Sequence, residues 1–137
     1  MLKLRRVHLS AITGHAIETN PRECCGLVGG IGLVTQSIYK INNIAANPFV
    51  TYEAAPEELF AAQKQMRQRG EQLVAIYHSH PQATEPTPSD TDVRLAYYPA
   101  VVYLIIGLAG NEPVARAFHI SEKAQTWEPV EYELADE

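Results

Sequence analysis

Two histidines and an aspartate have the types and spacing of metal ligands. His78 and His80 stand two residues apart, directly after the apolar run 73–77, which predicts a buried strand. Because alternate residues of a strand point to the same face, both imidazoles should face one way. Asp92 follows at the start of a predicted helix. Two imidazoles, one carboxylate and an open fourth position are typical of catalytic rather than structural zinc.

Other carboxylates compete with Asp92 for the third ligand position. Glu85 and Asp90 lie in the same stretch of chain, and an acid in the first turn of a helix is favoured by the helix dipole alone. A pair of histidines two apart is also compatible with ordinary polar side chains on a strand. A metal site is favoured by the combination of the histidine pair, the proline-rich loop 82–88 and the acidic helix start. We rank Asp92 above Asp90 and Glu85 as its third ligand.

Hydrolysis at such a site also needs a carboxylate that moves a proton. Zinc lowers the pKa of a bound water from 15.7 to about 7, and a nearby acid must pass the proton to the leaving group. The candidates are Glu18, Glu23, Glu53, Glu57 and Glu58. Glu23 is the most interesting because it leads directly into a predicted strand, although its spacing alone favours a solvated acid in a loop.

The elements that must position these groups are predicted from periodicity and end signals. Helices are predicted over 7–19, from Pro56 to a glycine cap at Gly70, and over 92–98 with Ser89 as the N-cap. Strands are predicted over 26–30, 33–41, 49–52, 73–77, 100–107, 114–120 and 127–134. This order predicts a mixed α/β or α+β domain around one sheet.

Composition excludes several classes of function. The 137 residues predict a single domain, 1–137, and a net charge of −5 argues against binding nucleic acid. No apolar run is long enough to cross a membrane, and no glycine-rich phosphate-binding motif is present. The adjacent Cys24 and Cys25 are poorly placed to pair, and the N-terminus lacks the pattern of a secretory signal. We therefore expect a cytoplasmic protein with reduced thiols.

Four segments of the chain resemble the JAMM metallopeptidases, the JAB/MPN-domain family. Residues 21–30, PRECCGLVGG, resemble the family's opening motif P-x-E-x-C-G-L-x-x-G. Residues 77–81, YHSHP, and 88–92, PSDTD, resemble its signature H-S-H-P…P-S-x-x-D. Residues 47–59 are similar to its middle segment. The combined signature is much more specific than any of its parts.

The resemblance implies a site and a fold. His78, His80 and Asp92 would bind one zinc ion per chain, and Glu23 would act as general base and acid on a water in its fourth position. Ser89 would help to hold that water or the developing oxyanion. The fold would be the JAB/MPN α/β (α+β) fold, a curved mixed sheet flanked by helices that is similar to the cytidine deaminases.

The resemblance also implies a substrate. The family hydrolyses amide or isopeptide bonds after the C-terminal Gly-Gly of ubiquitin or a ubiquitin-like protein. This chain is similar to the small prokaryotic members, which include peptidases that release cysteine or amino acids from sulfur-carrier proteins. Eleven residues separate His80 from Asp92, one more than is usual in the family. The extra residue falls in loop 82–88, a candidate lid or guide for the substrate tail.

Alternatives from other classes stay open at this point. Some domains of this fold have lost the metal and act as protein-binding scaffolds. A zinc deaminase is disfavoured because its H-x-E…P-C-x-x-C motif is missing. A cysteine nucleophile is disfavoured because Cys25 matches the family's structural cysteine. We expect no nucleic-acid or membrane partner, and the charge and an edge strand fit either a monomer or a homodimer.

Overall fold

The computed structural model describes residues 1–136, which form eight strands and three helices. The strands are β1 Leu2–Arg5, β2 Cys25–Ile31, β3 Val34–Ile41, β4 Gln72–His80, β5 Val102–Gly107, β6 Val114–Ser121, β7 Thr126–Val130 and β8 Tyr132–Ala135. The helices are α1 Arg6–Thr19, α2 Pro56–Gln68 and α3 Asp90–Arg94. None of these helices has the length and apolar character that crossing a bilayer requires.

All eight strands join one mixed sheet, in the order β7-β6-β5-β4-β2-β3-β1-β8. Strands β7 and β8 lie at opposite edges, although only Glu131 separates them in the sequence. At roughly 4.8 Å between neighbouring strands, a flat sheet would hold these edges about 34 Å apart. The sheet must therefore curl until its edges approach each other. The Tyr132 hydroxyl of β8 accordingly donates to the Ala115 carbonyl of β6 at 2.9 Å.

The two faces of the curled sheet carry separate apolar cores. Helix α1 buries Ile12 and Ala16 against one face, in a cluster that includes Tyr77 of β4. Helices α2 and α3 bury Met66 and Val93 against the other face. Since side chains alternate along β4, its last histidines point away from α1, to the face covered by α2 and α3. At its C-terminal end the central strand therefore carries His78 and His80 on one face, while Tyr77 points into the core on the other.

The structure confirms the predicted fold class, and two of its helices follow the predicted bounds within a residue or two. The third is shorter than the predicted 92–98, because α3 ends at Arg94. Pro99 disfavours helical backbone at the residue before it, and the Tyr98 N–H donates instead to the Tyr103 hydroxyl at 3.2 Å. The segment after α3 is therefore irregular.

Two strand predictions need correction, and one strand was missed. The predicted strand 49–52 is part of loop 42–55, whose regular pairing is limited to one bridge between Asn43 and Ala54. The predicted strand 127–134 is two strands, because the chain leaves one sheet edge at Glu131 and joins the other. Strand β1 was not predicted, since a four-residue strand that runs directly into a helix leaves little alternation to read.

Candidate metal centre

Strand β4 places both histidines beside each other at its C-terminal end. His78 is fully buried opposite Cys25 of β2, and His80 ends the strand opposite Gly107 of β5. The centroids of their two rings are 4.9 Å apart in an edge-to-face arrangement. The predicted pairing of the two imidazoles on one face is therefore present.

The first turn of α3 brings Asp92 to this pair. The Ser89 hydroxyl oxygen accepts from the Asp92 N–H at 3.0 Å, and the Asp92 carboxylate accepts from the Ser89 N–H at 2.9 Å. This reciprocal capping box fixes both residues at the helix start. The short helix thus orients its carboxylate toward β4.

Three donor atoms converge on one point. The Nε2 atoms of His78 and His80 are 3.1 Å apart, and Oδ2 of Asp92 lies 3.1 Å and 3.0 Å from them. Ligands about 2.05 Å from a tetrahedral zinc are separated by about 3.3 Å, so the observed triangle is close to one face of such a site. Mutual contact of two ring nitrogens and a carboxylate oxygen fits a shared cation, because these atoms have too few protons to satisfy one another.

Glu23 lies beside this triangle. One of its carboxylate oxygens and the two histidine ligand atoms all lie within 4.8 Å of one another. The side chain is buried, and its Oε1 has no hydrogen-bond partner among the described residues. Nδ1 of His78 is likewise buried and unpartnered within residues 1–136. Unsatisfied buried polar atoms of this kind indicate a site built for water or an ion.

Glu23 and Asp92 have opposite pKa shifts. Burial raises the pKa of Glu23 to about 7, an effect that His78 opposes and Asp92 reinforces. Burial would also raise the pKa of Asp92, but His78 and the hydrogen bonds around the carboxylate hold it far below its usual range. The Asp92 carboxylate in turn raises the pKa of His78 against the effect of burial. Asp92 therefore stays ionised, while Glu23 is poised to exchange a proton near neutral pH.

Loop 42–55 contacts the histidine pair through Tyr52. The Tyr52 ring packs against the His78 ring, with centroids 4.6 Å apart and planes inclined by 30°. Beside it lies a largely apolar cavity of about 590 Å³ that reaches Asp92. Its walls include Cys25, Tyr52, Leu95, Tyr97, Tyr98 and Tyr103. Sequence reasoning missed Tyr52, because an aromatic residue in a loop gives no sign of which ring it will contact.

Loop 82–88 is held down at several points along its length. The Ala83 N–H donates to the His80 carbonyl at 3.1 Å, and the Ala83 carbonyl accepts from Ala109 at 3.0 Å. The Arg116 guanidinium donates to the carbonyl of the buried Pro86 at 3.1 Å. These contacts hold loop 82–88 against neighbouring backbone, and Asp92 beyond it lies within 3.1 Å of both histidine Nε2 atoms. Sequence reasoning also missed Arg116, whose partner lies thirty residues away.

Replacing Gly107 by alanine should displace this loop. A Cβ at residue 107 would stand 2.6 Å from the Ala83 carbonyl oxygen and 2.9 Å from Pro86. Because backbone must shift, we expect a loss of about 1–3 kcal/mol in the free energy of unfolding, measured by denaturant titration. Gly110→Ala is the matched control, since its nearest neighbour would be 3.7 Å away. Equal stability of the two variants would contradict the close packing of this loop.

The competing carboxylates contribute no atom to the triangle, although Glu53 lines the same cavity as Asp92. Glu18, Glu53, Glu57, Glu85 and Asp90 are exposed, and the Glu58 carboxylate accepts from the Asn42 N–H at 2.8 Å. Both cysteines are free and buried, and burial raises the pKa of Cys24 to about 11 and of Cys25 to about 12. Neither thiol would ionise near neutral pH, which argues against a cysteine nucleophile.

Comparison with known proteins identifies the family. Residues 5–121 match the family described as prokaryotic homologs of the JAB domain. The desampylase of Haloferax volcanii is 38% identical over 107 residues, which cover 74% of this chain and 76% of the relative. The CysO-cysteine peptidase of Mycobacterium tuberculosis H37Rv is 32% identical over 132 residues, covering 95% and 90%.

A solved structure shares the architecture over the full length. The solution structure of a protein from Desulfitobacterium hafniense superposes with a TM-score of 0.86 at 34% identity, covering all of this chain and 94% of that one. The curled mixed sheet with its flanking helices is the JAB/MPN fold. From the family match over most of its length, the sequence identities and the shared fold, the chain belongs to the prokaryotic homologues of the JAB domain.

Proposed function

We propose that this protein is a zinc-dependent peptidase of the JAMM type. The observation that supports the proposal most is the triangle of His78, His80 and Asp92 atoms, 3.0–3.1 Å apart, beside the buried carboxylate of Glu23. We assign the three atoms of the triangle as the ligands of one zinc ion. Glu23 lies beside the triangle, and its Oε1 has no hydrogen-bond partner among the described residues; we assign this residue as the general base and acid.

The division of roles follows from the chemistry of each group. Zinc bound at the triangle would polarise the scissile carbonyl and lower the pKa of the attacking water. Glu23 would take a proton from that water and return it to the leaving amine nitrogen, a role that suits a buried carboxyl beside the triangle. Ser89 would donate its hydroxyl proton toward the developing oxyanion, since its oxygen already accepts from the Asp92 N–H.

We further propose that the substrate is a ubiquitin-like or sulfur-carrier protein that ends in Gly-Gly. The relatives are named as a desampylase and a CysO-cysteine peptidase, and both names describe cleavage of a conjugated protein. The apolar cavity between loop 42–55 and residues 95–103 could hold an extended apolar tail that leads to the triangle. Glycine at the cleaved position would help the scissile carbonyl to approach the triangle, whose side chains are only 1–16% exposed.

The test combines zinc content with cleavage. Purified protein should contain about one zinc per chain by elemental analysis. It should then cleave a carrier protein after its terminal Gly-Gly, whether a cysteine amide or a lysine isopeptide follows, as read by mass spectrometry. A carrier with valine in place of the last glycine is the matched control and should resist cleavage.

Absence of both zinc uptake and cleavage would contradict this proposal. A protein that takes up no zinc after reconstitution and leaves both conjugates intact would be a metal-free scaffold of the JAB/MPN type. Retained binding of the carrier protein would then be its remaining function.

A further inference from the structure

Loop 42–55 holds the backbone of Glu23 from both sides. The Glu23 N–H donates to the Pro48 carbonyl at 2.7 Å, and the Glu23 carbonyl accepts from Nδ2 of Asn43 at 3.0 Å. Both backbone hydrogen-bonding groups of this residue therefore bind one loop, although Asn43 lies twenty positions after Glu23 in the sequence. Glu23 itself lies before the first residue of β2, outside the sheet ladder.

The Asn43 side chain uses all of its hydrogen-bonding capacity in this arrangement. Its Nδ2 also donates to the Thr51 carbonyl at 3.1 Å, while Oδ1 accepts from Ala45 N–H at 2.9 Å and from Glu53 N–H at 3.0 Å. Four hydrogen bonds are what an asparagine amide can readily make. Hydrogen bonds to residues at both ends of loop 42–55 therefore fix the Asn43 amide group that donates to Glu23.

The Glu23 carboxylate lacks comparable support of its own. Its Oε1 has no hydrogen-bond partner among the described residues, so no hydrogen bond at that oxygen sets where the buried side chain lies. The anchored backbone from which it projects therefore helps to set its position. A displacement of about 1 Å at a reacting group can reduce a rate about 100-fold.

We propose that Asn43 is a positioning residue, which holds the Glu23 backbone so that its carboxylate reaches the attacking water. The inference rests on the proposed function, because it presupposes Glu23 as the base. It assigns to Asn43 an effect on turnover through Glu23, beyond its part in shaping loop 42–55.

The experiment compares Asn43→Ala with Asn42→Ala in the zinc-loaded protein. Asn42 is the matched control, because its side chain lies at the same end of β3 but donates to Glu58 at 2.9 Å. We expect Asn43→Ala to keep about one zinc and to lower kcat about 10- to 100-fold, with a smaller change in KM. Asn42→Ala should keep the kcat of the wild type.

A double-mutant cycle separates positioning from loop structure. If Asn43 acts through Glu23, Asn43→Ala should lower kcat in the wild type but leave the residual rate of Glu23→Gln unchanged. If Asn43 only shapes the loop, the same fold-change should appear in both backgrounds, or KM alone should rise. Either of these results would overturn the inference.

Hydrogen exchange tests the anchoring without any turnover. In metal-free protein, the Glu23 N–H, which donates to Pro48 of the loop that Asn43 organises, should exchange faster in Asn43→Ala than in the wild type or Asn42→Ala, as measured by NMR. If Asn43→Ala does not fold, Asn43→Asp, which keeps the acceptor oxygen and removes the donors, takes its place. An unchanged Glu23 amide would overturn the inference.

The two failures are distinguishable. A wild type that cleaves no conjugate overturns the proposed function and, with it, the catalytic role of Asn43. A wild type that is active, with full kcat in Asn43→Ala, overturns the inference alone.

Discussion

Glu23→Gln should keep its zinc and lose nearly all turnover. Glutamine has the shape of glutamate but cannot take a proton from water, and general acid–base catalysis contributes about 10²–10⁴-fold to a rate. The Oδ2 and Nε2 atoms that we assign as ligands lie on other residues, so metal binding should remain near one equivalent. We therefore expect kcat to fall about 100-fold or more, while the zinc content measured by elemental analysis stays unchanged.

The measurement needs a control for loss of a carboxylate as such. Glu18→Gln serves, because Glu18 is an exposed acid on α1 and was one of the competing candidates for the base. It should turn over at the rate of the wild type. Full activity in Glu23→Gln would show that another group moves the proton, and loss of zinc in that variant would make Glu23 a ligand.

Asp92→Ala should abolish both zinc binding and cleavage. Removing this carboxylate deletes one of three converging donors and the only negative charge of the triangle. Two neutral imidazoles alone make a weak zinc site. We expect less than about one-tenth of an equivalent of zinc after dialysis against a weak chelator, measured by elemental analysis, and no detectable product.

This substitution also removes half of the capping box, so folding must be tested separately. Loss of the cap is expected to cost about 1 kcal/mol, which thermal unfolding of the metal-free proteins can measure. Asp90→Ala is the matched control, since Asp90 is an exposed acid in the same turn. If Asp90→Ala lost zinc while Asp92→Ala kept it, the longer loop would have shifted the ligand to Asp90.

Local chemistry made much of the fold, and of the arrangement of the candidate site residues, predictable. An apolar run that ends in two histidines specifies a buried strand with both rings on one face, and β4 has that form. Ser89 followed three residues later by Asp92 specifies a helix start, and α3 begins there with the full capping box. These features depend on neighbours a few residues apart, where periodicity and capping rules apply.

Features set by distant contacts escaped prediction. Loop 42–55 was expected to contain a strand, but Asn43 organises it through hydrogen bonds to backbone groups across the loop. The Tyr52 ring on His78 and the Arg116 contact to Pro86 likewise join segments far apart in the sequence. The division of the predicted strand 127–134 at Glu131 follows from the curl of the entire sheet, which depends on residues far apart in the sequence.

The pairing of β1 with β8 has a consequence for synthesis. These strands run parallel, with Leu2 opposite Tyr132 and Arg5 opposite Ala135. At 5–20 residues per second, the ribosome needs on the order of ten seconds to deliver β8 after β1 has emerged. During that interval the outer edge of β1 has no partner in the sheet. Contacts of such long sequence separation form late and slowly, so the nascent chain is most exposed to aggregation until β8 closes this edge.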